Sequence, residues 1–173
     1  MLAFESAWRI LSAEHAQMRE LALALQRDAQ DGGWRSSTAA LSALQRRLQE
    51  LQQLDNDSHR PKGVALVAAL RGKSAEVDAL LETLESDQSR CDDWLAEAIA
   101  LCEQVRAGRE PAAAELQQTL GSHAQVLLEH LDREDTVLRE ISARCLAPED
   151  WPAIVSSISK VLRASRPAAP TSR

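Results

Sequence analysis

A chain of 173 residues is long enough for one domain with a respectable buried core. Leu and Ala dominate, Tyr is absent, Phe occurs once and β-branched residues never accumulate, which points to an all-α protein rather than a sheet. The formal net charge of -6, without any basic stripe, argues against nucleic acid or an acidic membrane surface as a partner.

Helix one is predicted from Leu2 to about Gln30, with Phe4, Trp8, Leu11, His15, Met18, Ala22 and Leu25 alternating steps of four and three. DGG at 31–33 stops it, and Ser36, Ser37 or Thr38 can cap a second helix. Leu41, Leu44, Leu48, Leu51 and Leu54 form the second stripe. The patch DNDSHRPKG at 55–63 is expected to interrupt or bend that helix, because Pro and Gly disfavour a regular interior, and the apolar run VALVAALRG follows.

Helix three is predicted from near Ser74 to about Arg106, its stripe being Val77, Leu81, Leu84, Gln88, Cys91, Leu95, Ala98 and Cys102. AGREP at 107–111 breaks the chain, and Pro111 suits a first helical turn. Helix four is expected from Pro111 to Cys145, with Leu116, Leu120, His123, Leu127, His130, Glu134, Val137 and Ile141 on one face. A short last helix should start at Pro148, where Glu149 and Asp150 favour its N-terminal dipole. The expected architecture is an up-down-up-down four-helix bundle over residues 1–163 with a short fifth C-terminal helix; residues 164–173 form a disordered tail.

Cys91, Cys102 and Cys145 make no CxxC pair, so a zinc knuckle or thioredoxin-like motif is excluded; dispersed cysteines of this kind are small core residues in a reducing compartment. The N-terminal stretch MLAFESAWRILSAEH lacks an apolar signal core and no segment reaches membrane-spanning length, so the expected location is the cytoplasm. No nucleophile–base pair, phosphate loop or cofactor fingerprint marks an enzyme.

Each stripe carries a polar residue near its middle: His15, His59 at the helix-two bend, Gln88, and His130 with Glu134. Side chains three or four apart on a helix lie roughly 5–6 Å from one another, close enough to grip a metal ion. The plainer reading of any one of them is a satisfied core histidine, or a Glu134 paired with Arg19, Arg133 or Arg139 at the rim. His123 stands about 10 Å from His130 along the axis and reads as a core or second-layer histidine.

Read in order, these segments resemble the bacterial hemerythrin-like family, the HHE cation-binding domains, from about residue 8 to residue 160. AEHAQMREL supplies the family's leading histidine as His15, and HRPKGVALVAALRGK matches the family's HHPKED phrase through His59, Pro61 and Lys62. EHLDREDTVLREISARCLAPEDW supplies His130, Glu134, Asp135 and Trp151. The resemblance implies a bundle holding two irons, but three positions depart from it. Gly63 stands where a bridging carboxylate is expected, Gln88 where the third-helix histidine is expected, and Arg60 replaces the neighbouring histidine.

A complete di-iron centre is therefore not expected. The first expectation is a non-enzymatic, metal-free interaction or regulatory module, its polar residues forming a core network from His130 through Glu134 to Gln88. The alternative is a reduced site for a single divalent ion, iron or zinc, using His15, His59, His130 and Glu134, with Asp135 as a second candidate carboxylate. Such a site would serve oxygen or nitric-oxide sensing or iron handling. A protein partner or a homodimer is compatible with either reading.

Overall fold

The computed structural model describes residues 2–164, and among these every regular element is helical. In chain order they are α1 (Leu2–Asp31), α2 (Thr38–Leu54), α3 (Arg60–Leu70), α4 (Ala75–Arg106), α5 (Glu110–Arg133), α6 (Arg139–Cys145) and α7 (Trp151–Ala164). A single 3-10 turn, Gly33–Arg35, links α1 to α2. The tail expected at 164–173 falls outside the described residues, apart from Ala164, which closes α7.

The local signals act where the sequence puts them. Gly32 adopts a φ of 63°, a left-handed geometry that ends α1 without a Cβ penalty. Ser37 caps α2 by accepting a hydrogen bond from the Ala40 amide at 3.2 Å, and Ser74 caps α4 through the Val77 amide at 3.2 Å. The last helix departs from expectation. It starts at Trp151 rather than Pro148, because Asp150 accepts from the Ala147 amide at 2.9 Å and holds the preceding residues in a turn.

Two irregularities share one cause. The patch DNDSHRPKG interrupts the regular α-helix without ending it: α2 runs into α3 through a π turn, Asp55–His59, in which the Arg60 amide bonds back to the Asp55 carbonyl. Pro61 has no N–H to give to the preceding turn, and the wider π spiral leaves room for its ring. The long fourth helix likewise consists of α5 and α6 joined by a π turn, Glu134–Leu138. Each π turn shifts the phase of the apolar stripe. Leu54 is only half-buried while Asp55 takes the inward place, and Val137 is 43 % exposed while Leu138 is buried.

α5 packs against α4 and α1, α2 against α1 and α4, and α7 against α1 and α3. Two apolar cores result. One gathers Met18, Leu25, Leu44, Leu95, Leu116 and Leu127; the other gathers Trp8, Leu11, Leu66, Leu81, Ile141 and Ile154. Burying each such side chain contributes about 1.5–3 kcal/mol. His15 lies between Leu11 of one core and Met18 of the other, so the polar groups form a layer between two apolar ones. Cys91 and Cys102 are buried free thiols whose burial pushes their pKa up to about 12 and about 11, which makes them poor nucleophiles. Among the described residues no helix is long and apolar enough to cross a membrane.

Candidate metal centre

α1 delivers His15, the first π turn delivers His59, and the second delivers Glu134. Their inner atoms form a nearly equilateral triangle. His59 Nε2 lies 3.2 Å from His15 Nε2 and 3.2 Å from Glu134 Oε2, and His15 Nε2 lies 3.3 Å from the same oxygen. Both rings are buried, and Glu134 is largely so.

The outer nitrogens of the two histidines decide their tautomers. His15 Nδ1 is 2.7 Å from Asp135 Oδ1, and His59 Nδ1 is 3.0 Å from Asp55 Oδ1. Burial raises the Asp135 pKa, but hydrogen bonding to His15 and the charge of Arg19 outweigh it and hold the carboxyl down at about 2. For Asp55, burial is again outweighed, by hydrogen bonds from His59 and Arg60, and the pKa falls below the usual carboxylate range. Ionised carboxylates only accept, so each Nδ1 carries the proton and donates it. In the neutral rings both Nε2 lone pairs then point at the same place as Glu134 Oε2. Three acceptors converging within 3.3 Å repel one another unless a cation sits among them.

Either a proton or a metal ion can meet that need. With a proton, burial disfavours the charged His59 ring, but hydrogen bonds to Asp55 and Glu134 prevail and raise its pKa to about 10. Glu134 is the counterpart: its burial is outweighed by bonding to His59 and by the charges of the surrounding histidines, and its pKa drops to about 2. A metal ion fits the same atoms. Neighbouring ligands 3.2–3.3 Å apart suit an ion bonded at about 2.0–2.1 Å. The two-histidine, one-carboxylate composition is the set that holds ferrous iron with open positions. Carboxylates behind each imidazole are the usual outer support of metal-bound histidines.

That outer support is itself anchored. Arg19 pairs with Asp135 at 2.7 Å, and Ser12 donates to the same carboxylate at 3.2 Å. Arg60 Nε donates to Asp55 at 2.7 Å while its other end pairs with Asp92; Gln88 Nε2 donates to Asp55 at 3.0 Å. Gln88 therefore orients His59 through Asp55 instead of joining a chain from His130 and Glu134, and that expected core network does not form. Glu134 pairs with none of the three expected arginines: Arg19 holds Asp135, Arg133 holds Asp87 and Arg139 holds Glu5. Between the two acidic candidates, Glu134 is the inward one.

His130 stands apart from the triangle. Its Nε2 lies 3.7 Å from Glu134 Oε1, beyond a hydrogen bond, and burial lowers its pKa. His123 remains a core histidine, which burial drives down to about 4 and keeps neutral. Sequence reasoning missed Asp55, although its i,i+4 spacing to His59 was a usable signal. It also missed the trio of buried Lys62 and Glu14 with half-buried Ser58. Lys62, 1 % exposed, donates to Ser58 at 2.6 Å and pairs with Glu14, so it ties the residue before His15 to the residue before His59.

The pH dependence of the metal-free protein follows from these shifts. His59 is raised from 6.5 to about 10, so its contribution is complete below 6.5 and vanishes as pH rises through 10. Glu134 and Asp135 are depressed, so theirs is complete above about 4.5 and lost as pH falls toward 2. The His59–Glu134 attraction counts once between them, on the order of a few kcal/mol. Thermal melts in chelator should show highest stability near pH 4.5–6.5 and a decline toward pH 10 that His59→Ala removes. A melting temperature unchanged up to pH 10 would show His59 neutral in the metal-free fold.

The molecule is thus an all-helical protein that holds a two-histidine, one-carboxylate cluster between two apolar cores. The model of the hemerythrin HHE cation-binding domain matches residues 6–141, and the chain belongs to that family. No curated protein and no solved structure gives a match.

Proposed function

We propose that the protein binds one divalent metal ion, iron or zinc, through His15, His59 and Glu134, and serves oxygen or nitric-oxide sensing or iron handling rather than catalysis. The reading extends to an up-down-up-down course of the long helices and to a cytoplasmic location. One observation carries it: three buried lone-pair donors converge within 3.3 Å, each histidine oriented from behind by its own carboxylate. When bound, the ion supplies Lewis acidity and open coordination positions. The chain's own residues fix the ligand tautomers and balance the buried charge, and Trp8, Leu11 and Leu138 give the site an apolar border.

The residues do not fit a second ion. Gly63 offers no ligand atom, and the Gln88 amide is engaged with Asp55. The metal-free interaction module keeps one specific support, since a proton on His59 satisfies the triangle without any metal. Metal analysis of protein purified anaerobically after growth with iron, with a visible spectrum, separates the readings. About one ion per chain and no oxo-bridge absorption is the expected result. Two irons with that absorption would overturn it, and no uptake after reconstitution with iron, zinc and manganese would leave the interaction module.

A further inference from the structure

The three corners of the triangle come from three separate pieces of chain, and their polar ties differ. Asp135 backs His15 from the second π turn and so joins α1 to that turn. Asp55 backs His59 from within the first π turn, which Gln88 and the Arg60–Asp92 pair join to α4. Neither carboxylate joins His15 to His59, whose Nε2 atoms face each other 3.2 Å apart. In the neutral rings those lone pairs repel, so α1 and the first π turn need a tie of their own at this height. Glu14, Ser58 and Lys62 supply one. Lys62 donates to Ser58 Oγ at 2.6 Å and pairs with Glu14 Oε1, and Ser58 donates to the same oxygen. Glu14 immediately precedes His15, and Ser58 immediately precedes His59. Lys62 lies beyond Pro61, which has no N–H to give back to the π turn, so its bond to Ser58 also spans the junction with α3.

We infer that Lys62 is a positioning residue for the metal centre: with Glu14 and Ser58 it presets the separation of His15 and His59, and so sets how tightly the protein holds its ion. The inference rests on the single-ion reading above. The trio acts through the histidines and not on the ion. Ser58 borders the groove between α1 and α2, whereas His15 and His59 border a separate cavity between α3 and α4. Glu14 Oε2 has no hydrogen-bond partner, so the carboxylate is anchored through Oε1, and both groups that anchor it belong to the first π turn and α3. Two donors already at coordinating distance spend no binding free energy on drawing their helices together. The charges of Lys62 and Glu14 cancel, so the trio adds no net charge beside the ion. A buried ion pair contributes little stability relative to apolar side chains of similar volume, but its directional contacts fix one register. Metal affinity and fold stability should therefore respond differently when the trio is removed.

The test measures zinc affinity against a competing chelator, and melting temperature without metal, on full-length protein. The double variant Lys62→Met with Glu14→Leu replaces the pair by apolar side chains of similar volume and leaves no buried charge unpaired. It should bind zinc at least about tenfold more weakly while melting at or above the temperature of the parent. Its cobalt form should also differ from the parent's in visible absorption, because His15 and His59 no longer meet in one geometry. Ser58→Ala keeps the Lys62–Glu14 pair and should weaken zinc binding about threefold. Leu25→Ala opens the apolar core about 15 Å along α1 from His15. It should lower the melting temperature and leave zinc affinity within about twofold of the parent. Zinc affinity unchanged in the double variant overturns the inference alone, and if that variant does not fold, unchanged affinity in Ser58→Ala does so. An equal loss in Leu25→Ala also overturns it, since affinity would then follow general stability. A parent protein that takes up neither zinc, iron nor manganese overturns the single-ion reading and this inference with it.

Discussion

His59→Ala and Glu134→Ala should each lower metal affinity by at least about 100-fold, while His130→Ala stays within about threefold of the parent. The first two remove a corner of the three-atom triangle, and no replacement donor is close enough to take its place. His130 is not among the donors that lie within 4.8 Å of one another, so its loss leaves the donor set whole. An intermediate loss, about 10–100-fold, is expected for Asp55→Ala and Asp135→Ala. Each frees a ring to rotate and to carry its proton on the inner nitrogen, where it blocks coordination. Zinc titrations against a competing chelator would rank the variants. Equal losses from His130→Ala and His59→Ala would show that His130 is a ligand, and that the ion sits on the far side of Glu134.

The double substitution Gly63→Glu with Gln88→His should raise the bound metal from one ion per chain to two. Glu134 already spans the two places: Oε2 faces His15 and His59, while Oε1 faces His130. What the second place lacks is a bridging carboxylate and an imidazole, at two of the three positions where the chain departs from the pattern it resembles. Position 63 has room, since an added Cβ meets nothing within 4 Å. Arg60 is not an obstacle, because its charge is held by Asp55 and Asp92. Iron analysis should give about two per chain with the absorption of a bridged pair. One iron per chain in a folded double variant would show that the site has closed around a single ion.

Much of this was legible in the residues. Alternating steps of three and four located the long helices, Ser37 and Ser74 capped where capping chemistry puts them, and His15, His59 and Glu134 met as the stripes suggested. The stripe phases beyond the π turns were not legible. Steps of three and four carry Leu51 to Leu54 and Glu134 to Val137, yet the buried residues are Asp55 and Leu138. A π turn has no strong local propensity behind it; it is sustained by tertiary contacts, here the pairing of His59 and Glu134 across the bundle. For the same reason the sequence of DNDSHRPKG suggests an interruption or a bend and does not specify a π turn. Propensity reports the cost of Pro61 and Gly63 but not the cluster that offsets it. Gln88 looked like a lost ligand because a sequence shows which atoms a side chain has and not which neighbour they reach.

The two π turns give the site an unusual genetic exposure. Each behaves as a helix carrying one surplus residue, and each holds a ligand of the triangle. In an ordinary α-helix every residue advances the chain by about 100° around the axis. Removing one codon from either turn would let a regular helix close and would rotate that ligand relative to the residues on the other side of the turn. The helices would still have apolar stripes to pack, so the scaffold could outlive the deletion. Gain or loss of cation binding in this fold can therefore hinge on the length of a helix by one residue, without exchange of any ligand for another amino acid.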